Sequence, residues 1–254
     1  MNTTLLPDEP SIYPYHAERV LPARSVLVFA PHPDDEVLGC GGLIAAWLDA
    51  GVPVQVVIVS DGAQGGDAPE RERESQAAAQ ALAAGSAPAS LHFWQLPDRG
   101  LRADATLVER MRECIVGIHA DCVLAPSLYE VHPDHRSVAL AAAQAFAAVF
   151  DDESTAQLAF YEVGQPLPAN TLVDITAVLA RKQAAIGCFG SQLLQQPYGE
   201  QLLALNRYRS YTLGSAVTHA EAYQVVRAAA LRAGPGAAVR AQAAAVMSRL
   251  GLRS

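Results

Sequence analysis

The sequence predicts an α/β domain, a mostly parallel sheet with helices on both faces and further helices towards the C-terminus. Three observations carry this. Between Arg24 and about Phe150, short β-branched runs alternate with longer helical ones, as strands and crossover helices do in a parallel sheet. The run Val52 to Ser60 holds too many Val and Ile for one polar face, so both faces of that strand are covered. At 254 residues and 51% hydrophobic, the chain can bury one large core that needs no covalent staples.

Taken in order, Val26 to Ala30 is the first strand, Gly39 to Ala50 a helix rich in small residues that Gly51 closes, and Val52 to Ser60 the second strand. Glu70 to Ala84 reads as an Ala-rich helix stopped at Gly85, and Leu91 to Gln95 as a short strand. Ala105 to His119 forms a helix with Leu107, Met111, Cys114, Ile115 and Ile118 on one side. Cys122 to Ala125 is a strand, His135 to Val149 a helix, and Phe160 to Val163 and Leu172 to Ile175 are two more short strands. Helical character returns at Ala177 to Cys188 and Glu200 to Tyr208, around the Gln/Pro/Gly stretch Gly190 to Gly199, a loop suited to covering a site. The tail from about Ala220 to Leu250 is Ala-rich and broken by Gly234-Pro235-Gly236, which predicts two packed helices and a candidate contact in a homo-oligomer. The expected organisation is an N-terminal extension over 1–23, the α/β domain over 24–218, and an Ala-rich helical tail over 219–254 packed on the same domain.

A formal net charge of -8 with no Lys/Arg run argues against a nucleic-acid backbone or an anionic membrane surface as partner, and a small-molecule substrate fits better. Cys40, Cys114, Cys122 and Cys188 are scattered without a CxxC pair beside apolar segments, as reduced core thiols are. Residues 1–25 hold no apolar core of signal-peptide length, and no window approaches the ~20 apolar residues of a membrane span. A cytoplasmic protein without membrane insertion is expected.

The chemistry concentrates in Pro31-His32-Pro33-Asp34-Asp35-Glu36, which leaves the end of the first strand, where open α/β sheets place their ligands. His32 and Asp35 are the natural ligand pair, because imidazole nitrogen with carboxylate oxygen suits zinc and similar divalent ions. Asp34 between them is free to act as a base. A helix-capping turn would account for one acid, but not for a histidine and three acids together. His132-Pro133-Asp134-His135 leaves a later strand in the same way, with Pro133 at the helix start; one imidazole can bind metal while the other faces substrate. Two such clusters at two strand exits suggest one metal site. Gly39, Gly41 and Gly42 do not make a dinucleotide fingerprint, since GxGxxG would need glycine at Ile44. Asp61-Gly62, Arg71 with Glu74, and Asp98 in Leu96-Pro97-Asp98 stand at the same edge of the sheet.

These motifs resemble, in order and approximate spacing, the LmbE/PIG-L family of zinc-dependent de-N-acetylases. The resemblance covers residues 24 to 150 well and is weaker around Lys182-x-x-Ala185, Ser191-Gln192 and Ala220-Glu221-Ala222-Tyr223. It implies a Rossmann-like fold without a nucleotide and removal of acetyl groups from N-acetylglucosamine-type conjugates. It further implies Zn2+ or another divalent metal on His32, Asp35 and His135, Asp34 as general base, and a protonated His132, oriented by Asp134, as acid or oxyanion stabiliser. Arg71 and Asp98 resemble sugar-contacting positions, and Glu36 and Asp61 complete the candidate substrate side, Glu36 also supporting the turn. One departure stands out: where some members carry Tyr two residues before the first His of the second cluster, this chain has Glu130, with Tyr129 one step back. The alternatives are a metal-dependent amidase acting on a larger thiol or glycopeptide conjugate, and a non-catalytic sugar-binding protein with a structural metal.

Overall fold

Every residue of Val26–Ala30 (β1) is buried, which is what an unbroken apolar run requires when helices cover both faces of a sheet. The computed structural model describes residues 8–232. After a short helix Glu9–Ile12 (α1) and β1 come Asp35–Asp49 (α2), Val54–Ser60 (β2), Ala68–Ala83 (α3), Ser90–Leu96 (β3), Ala105–Ile118 (α4) and Cys122–Pro126 (β4). Pro133–Val149 (α5), Gln157–Tyr161 (β5), Thr171–Asp174 (β6), Leu179–Ile186 (α6), Gly190–Leu193 (α7), Tyr198–Arg209 (α8), Ala220–Val226 (β7) and Ala228–Leu231 (α9) follow. The strands form a seven-stranded sheet in the order β3-β2-β1-β4-β5-β7-β6. Pairing is parallel except where β7 runs against β5 and β6.

The two-residue period of the strands divides the core. Val26, Val28, Val56 and Ile58 face Leu43, Trp47, Leu82 and Ile186 of α2, α3 and α6. Leu27, Phe29, Val57 and Val59 face Met111, Ile115, Val138 and Phe146 of α4 and α5. The chain leaves β1 towards β2 on one side and returns to β4 on the other, so the carboxyl ends of β1 and β4 flank a topological switch point. Both His/Asp clusters sit there.

Two expectations change. Residues 220–226, read from their alanines as the start of a helical tail, form strand β7, and residues 233–254 lie outside the described residues. The reason is positional. β5 needs a partner on its outer edge, and alternation of Ala220, Ala222 against Glu221, Tyr223 suits a strand buried on both faces. Of the expected N-terminal extension, Leu21 is buried and the Glu18 backbone bonds to Leu172 and Asp174, so this segment packs along β6. The second change is at α2, which starts at Asp35 rather than Gly39 and carries a non-helical Cys40 at φ -139, ψ 20. A fully buried ion pair splices that break. Lys182 Nζ donates to Leu38 O at 3.0 Å and Glu221 Oε1 at 2.7 Å, while Glu221 accepts from Gly42 N, Leu43 N and the Tyr223 hydroxyl. Gly39 and Gly42 let α2 press onto the sheet: a Cβ there would stand 2.2 Å from Tyr161 Cδ2 and 2.4 Å from Ile175 Cγ2.

Lys182→Met should therefore cost about 3–5 kcal/mol, because it strands the Glu221 carboxylate in the core with no cation. Urea unfolding monitored by circular dichroism measures the loss, and a change under 1 kcal/mol would show the pair to be dispensable.

All four cysteines are free, as expected. No helix among the described residues is long and apolar enough to cross a membrane.

Candidate metal centre

The turn after β1 and the first turn of α5 bring three donor atoms together. His32 Nδ1 and Asp35 Oδ2 are 3.2 Å apart, His135 Nε2 and Asp35 Oδ2 are 3.2 Å apart, and His135 Nε2 and His32 Nδ1 are 3.3 Å apart. Tetrahedral bonds of about 2.0–2.1 Å to a zinc-like ion separate donor atoms by about 3.3–3.4 Å, so this triangle fits one face of such a site. Two imidazole nitrogens and a carboxylate oxygen are also the donor chemistry such an ion takes. His32 stands within ligand reach of two other groupings, one with His132 and His135 and one with Asp98 and Asp134. The triangle with Asp35 is the better metal site, because Asp98 and Asp134 approach the opposite nitrogen of His32. Asp98 Oδ1 is 3.2 Å and Asp134 Oδ2 3.3 Å from His32 Nε2. These carboxylates hold the proton on Nε2 and leave the Nδ1 lone pair for the triangle.

Asp34 adjoins the triangle in a strained backbone, at φ 121 and ψ -31, a conformation worth about 1–3 kcal/mol that its surroundings must sustain. Arg71 sustains it. Its Nη2 donates to Pro33 O at 2.6 Å and Asp34 Oδ2 at 3.1 Å, and its Nη1 to Gly62 O at 2.8 Å. Glycine at 62 makes the room, since a Cβ there would lie 2.5 Å from Arg71 Nη1. Glu36 Oε2 accepts from Asp34 N at 3.1 Å and so supports the turn.

Electrostatics separate the two aspartates. Burial raises Asp34 and the charge of Asp35 raises it further, to about 7, against the pull of Arg71. Burial acts on Asp35 as well, but His135 and His32 outweigh it and hold Asp35 well below the usual carboxylate range. Glu36, buried beside Asp34, is pushed up to about 8. For His32, burial is outweighed by Asp134, Asp35 and Asp98, which raise it well above its ordinary value. His132 goes the other way, lowered by burial and by the facing His32 and His135.

That bears on two roles expected from the sequence. The Asp134 carboxylate does not touch His132; it accepts from Arg99 N and Leu101 N and faces His32. What meets His132 is the Asp134 backbone N–H, donating to Nδ1 at 3.2 Å as His132 caps α5. An Nδ1 that accepts puts the proton on Nε2, so this imidazole is a neutral donor rather than the protonated one expected. Arg71 and Asp98, expected on the sugar, are largely engaged within the protein, on Asp34 and His32. Asp61 Oδ1 accepts from Ala63 N and Asp98 N, and neither Asp61 nor Glu36 lines the cavity.

The cavity over the triangle measures about 670 Å³. Its walls add Gln64, Gln192, Gln195, Gln196 and Gln201, with Tyr198 and Arg99. The Gly190 to Gly199 segment does face this cavity, as its position predicted, and Gln192 Nε2 and Gln195 Nε2 both anchor it to Gly65 O. Glu74 ties it from below, accepting from Ser191 N and Oγ at 2.7 Å. The sequence singled out Glu130, Lys182 and Glu221 through the resemblance but gave them no structural role; Glu130 meets His135, and Lys182 pairs with Glu221 beneath α2.

Residues 27–146 match the model of the PIG-L family, described as GlcNAc-PI de-N-acetylase. The matched segment holds both His/Asp clusters and is thus a PIG-L/LmbE-type domain. The chain is 29% identical over 206 residues to the diacetylchitobiose deacetylase of Thermococcus kodakarensis, covering 69% of this chain and 74% of that one. It is 28% identical over 198 residues to the 4-oxalmesaconate hydratase of Pseudomonas putida, covering 67% and 75%. Among solved structures, N,N'-diacetylchitobiose deacetylase from Pyrococcus horikoshii superposes with a TM-score of 0.72 at 24% identity, covering 84% of this chain and 87% of that one. That likeness bears on the fold alone.

Proposed function

We propose that this protein is a zinc-dependent hydrolase that removes the acetyl group from an N-acetylglucosamine-type sugar or glycoconjugate. The observation that carries the reading is the donor triangle of His32, Asp35 and His135 with a buried carboxylate, Asp34, that is not part of it. A divalent ion held there would supply Lewis acidity to the acetyl carbonyl and an acidified water.

The remaining chemistry falls to the chain. Asp34, fixed by Arg71, takes the proton of the attacking water; burial and Asp35 place it near the pH at which a base can accept a proton and return it to the leaving amine. With a cation held in the triangle, Asp34 would sit lower and stay ionised before attack. His132 offers its Nε2–H to the charge that develops on the carbonyl oxygen, a contribution on the order of 3 kcal/mol. A neutral imidazole suffices for this, as its lowered pKa implies.

The hydratase relative raises a second reading, addition of water to an unsaturated polycarboxylate. The cavity walls argue against it. Arg71 and Arg99 are the arginines lining it, Arg71 is spent on Asp34 and the loop carbonyls, and five neutral glutamine amides stand among the other lining residues. Amides match sugar hydroxyls; several carboxylates would need several cations. The deciding experiment incubates zinc-loaded protein with N-acetylglucosamine glycosides, a larger N-acetyl conjugate and an unsaturated dicarboxylate. Release of primary amine and acetate from the sugars is expected; loss of diene or enone absorbance without amine release would overturn the reading.

Metal binding should also release protons. Burial alone would lower His135, but Asp35 and Glu130 push it up to about 9, so at pH 7 the metal-free site carries a proton that the ion displaces. Affinity is then expected to fall as pH drops. Calorimetric titration with zinc in buffers of different ionisation enthalpy counts the protons, and a slope of zero would refute this.

A further inference from the structure

We infer that Glu130 is a positioning residue for the metal site: one carboxylate oxygen fixes the tautomer of His135, while the carboxylate as a whole clamps the cavity wall at 163–165. The inference rests on the metal reading of the donor triangle and concerns a residue to which the proposed chemistry gives no part.

Glu130 is 2% exposed and lies in the turn between β4 and α5, where it could have faced solvent. Its Oε1 accepts from Val163 N at 2.8 Å, Gly164 N at 3.0 Å and Gln165 N at 3.3 Å. Successive backbone N–H groups converging in this way form a nest for negative charge. Gly164 permits the approach, since a Cβ there would stand 3.0 Å from Glu130 Oε2. The second oxygen, Oε2, lies 3.4 Å from His135 Nδ1 and also accepts from Gly164 N at 3.0 Å.

That contact matters because of what His135 must do on its other side. Its Nε2 belongs to the donor triangle and needs a free lone pair, so the ring proton has to sit on Nδ1. Nδ1 is buried and has no other partner among the described residues. Oε2 is thus the acceptor on hand for an Nδ1–H once the ring is neutral. An acceptor there favours the metal-binding tautomer; a donor would favour the tautomer that closes Nε2. His32 is held the same way by Asp98 and Asp134. His135 depends on Glu130, and through it the metal is linked to the wall that Val163, Gly164 and Pro166 present to the cavity.

Glu130→Gln separates this role from simple packing. The nest requires an acceptor, so the amide oxygen takes the Oε1 place and keeps the bonds to Val163, Gly164 and Gln165. The amide NH2 then faces His135 Nδ1 as a donor, which reverses the tautomer preference in a side chain of the same shape. The expected result is a zinc affinity 10–100-fold weaker than wild type, measured on the whole metal-free chain by competition with a chromophoric chelator, with the metal-free chain still folded and melting cooperatively. Zinc affinity within twofold of wild type would overturn the inference and leave Glu130 as a loop clamp. Should the variant fail to fold, the zinc-loaded wild type labelled with 15N-histidine decides: a proton on His135 Nδ1 supports the inference and an unprotonated Nδ1 overturns it. A wild type that binds no zinc would remove the metal site itself, and the inference with it. These measurements use no substrate, so a failure of the deacetylase reading leaves them standing.

Discussion

Asp34→Asn will bind metal as the wild type does and lose about 10²- to 10⁴-fold in kcat, the span expected when a general base is removed. The substitution is nearly isosteric, and its oxygen can still accept from Arg71 Nη2, which holds the wild-type carboxylate at 3.1 Å. The donor triangle does not include Asp34, so metal content should be unaffected. What vanishes is a group that can take a proton. Steady-state amine release beside zinc content by atomic absorption makes the comparison. A variant with full metal and full turnover would mean that Asp34 is a structural member of a strained turn and that the proton goes elsewhere.

His135→Ala will lose the metal and, with it, all measurable turnover. One of three donors goes, and the remaining pair, His32 Nδ1 and Asp35 Oδ2, adjoins a hole where the ring had been. The effect is legible without an assay. Zinc stabilises the folded chain by mass action, about 2.7 kcal/mol at a hundredfold excess over its Kd, and that increment should be absent from the variant. Thermal melts with and without zinc therefore separate the two substitutions: Asp34→Asn keeps the zinc-dependent rise in Tm and His135→Ala does not. A His135→Ala protein that still melts higher with zinc would move the ion to the neighbouring grouping of His32, Asp98 and Asp134.

The two variants test different links of one argument, because the triangle concerns where an ion sits and Asp34 concerns what a proton does. Glu130→Gln addresses the connection between them. If its zinc affinity falls while its fold holds, the cavity wall at 163–165 and the metal share a residue. Substrate pressing on that wall would then bear on the orientation of His135.

Much of the fold was legible because β1 and β4 are unbroken apolar runs and β2 is interrupted only by Gln55 before it ends at Ser60, patterns that admit few environments other than the middle of a covered sheet. The segment at 220–226, read as the start of the Ala-rich tail, misled for a matching reason. Alanine favours helix by intrinsic propensity, a preference of well under 1 kcal/mol per residue, and the unpaired edge of β5 outweighs it. No local pattern announces an edge that a distant strand leaves open. Lys182 stood out in the sequence but its role did not, since that depends on a helix break at Cys40 and on Glu221, both remote from it in sequence.

At the site, the sequence by itself determined the donor types, their spacing in His32-Pro33-Asp34-Asp35 and His132-Pro133-Asp134-His135, and their place after buried strands. Those are local facts, set by covalent spacing and by the strand exits that precede them. Only the tertiary structure decided which carboxylate meets which imidazole. Asp134 turned from the expected His132 to His32, Asp98 from sugar to His32, Arg71 from sugar to Asp34, and Glu130 to His135. The physical reason is range. A hydrogen bond is made or missed within a few tenths of an ångström, and these partners come from separate strand exits whose relative placement the packing of the whole sheet sets.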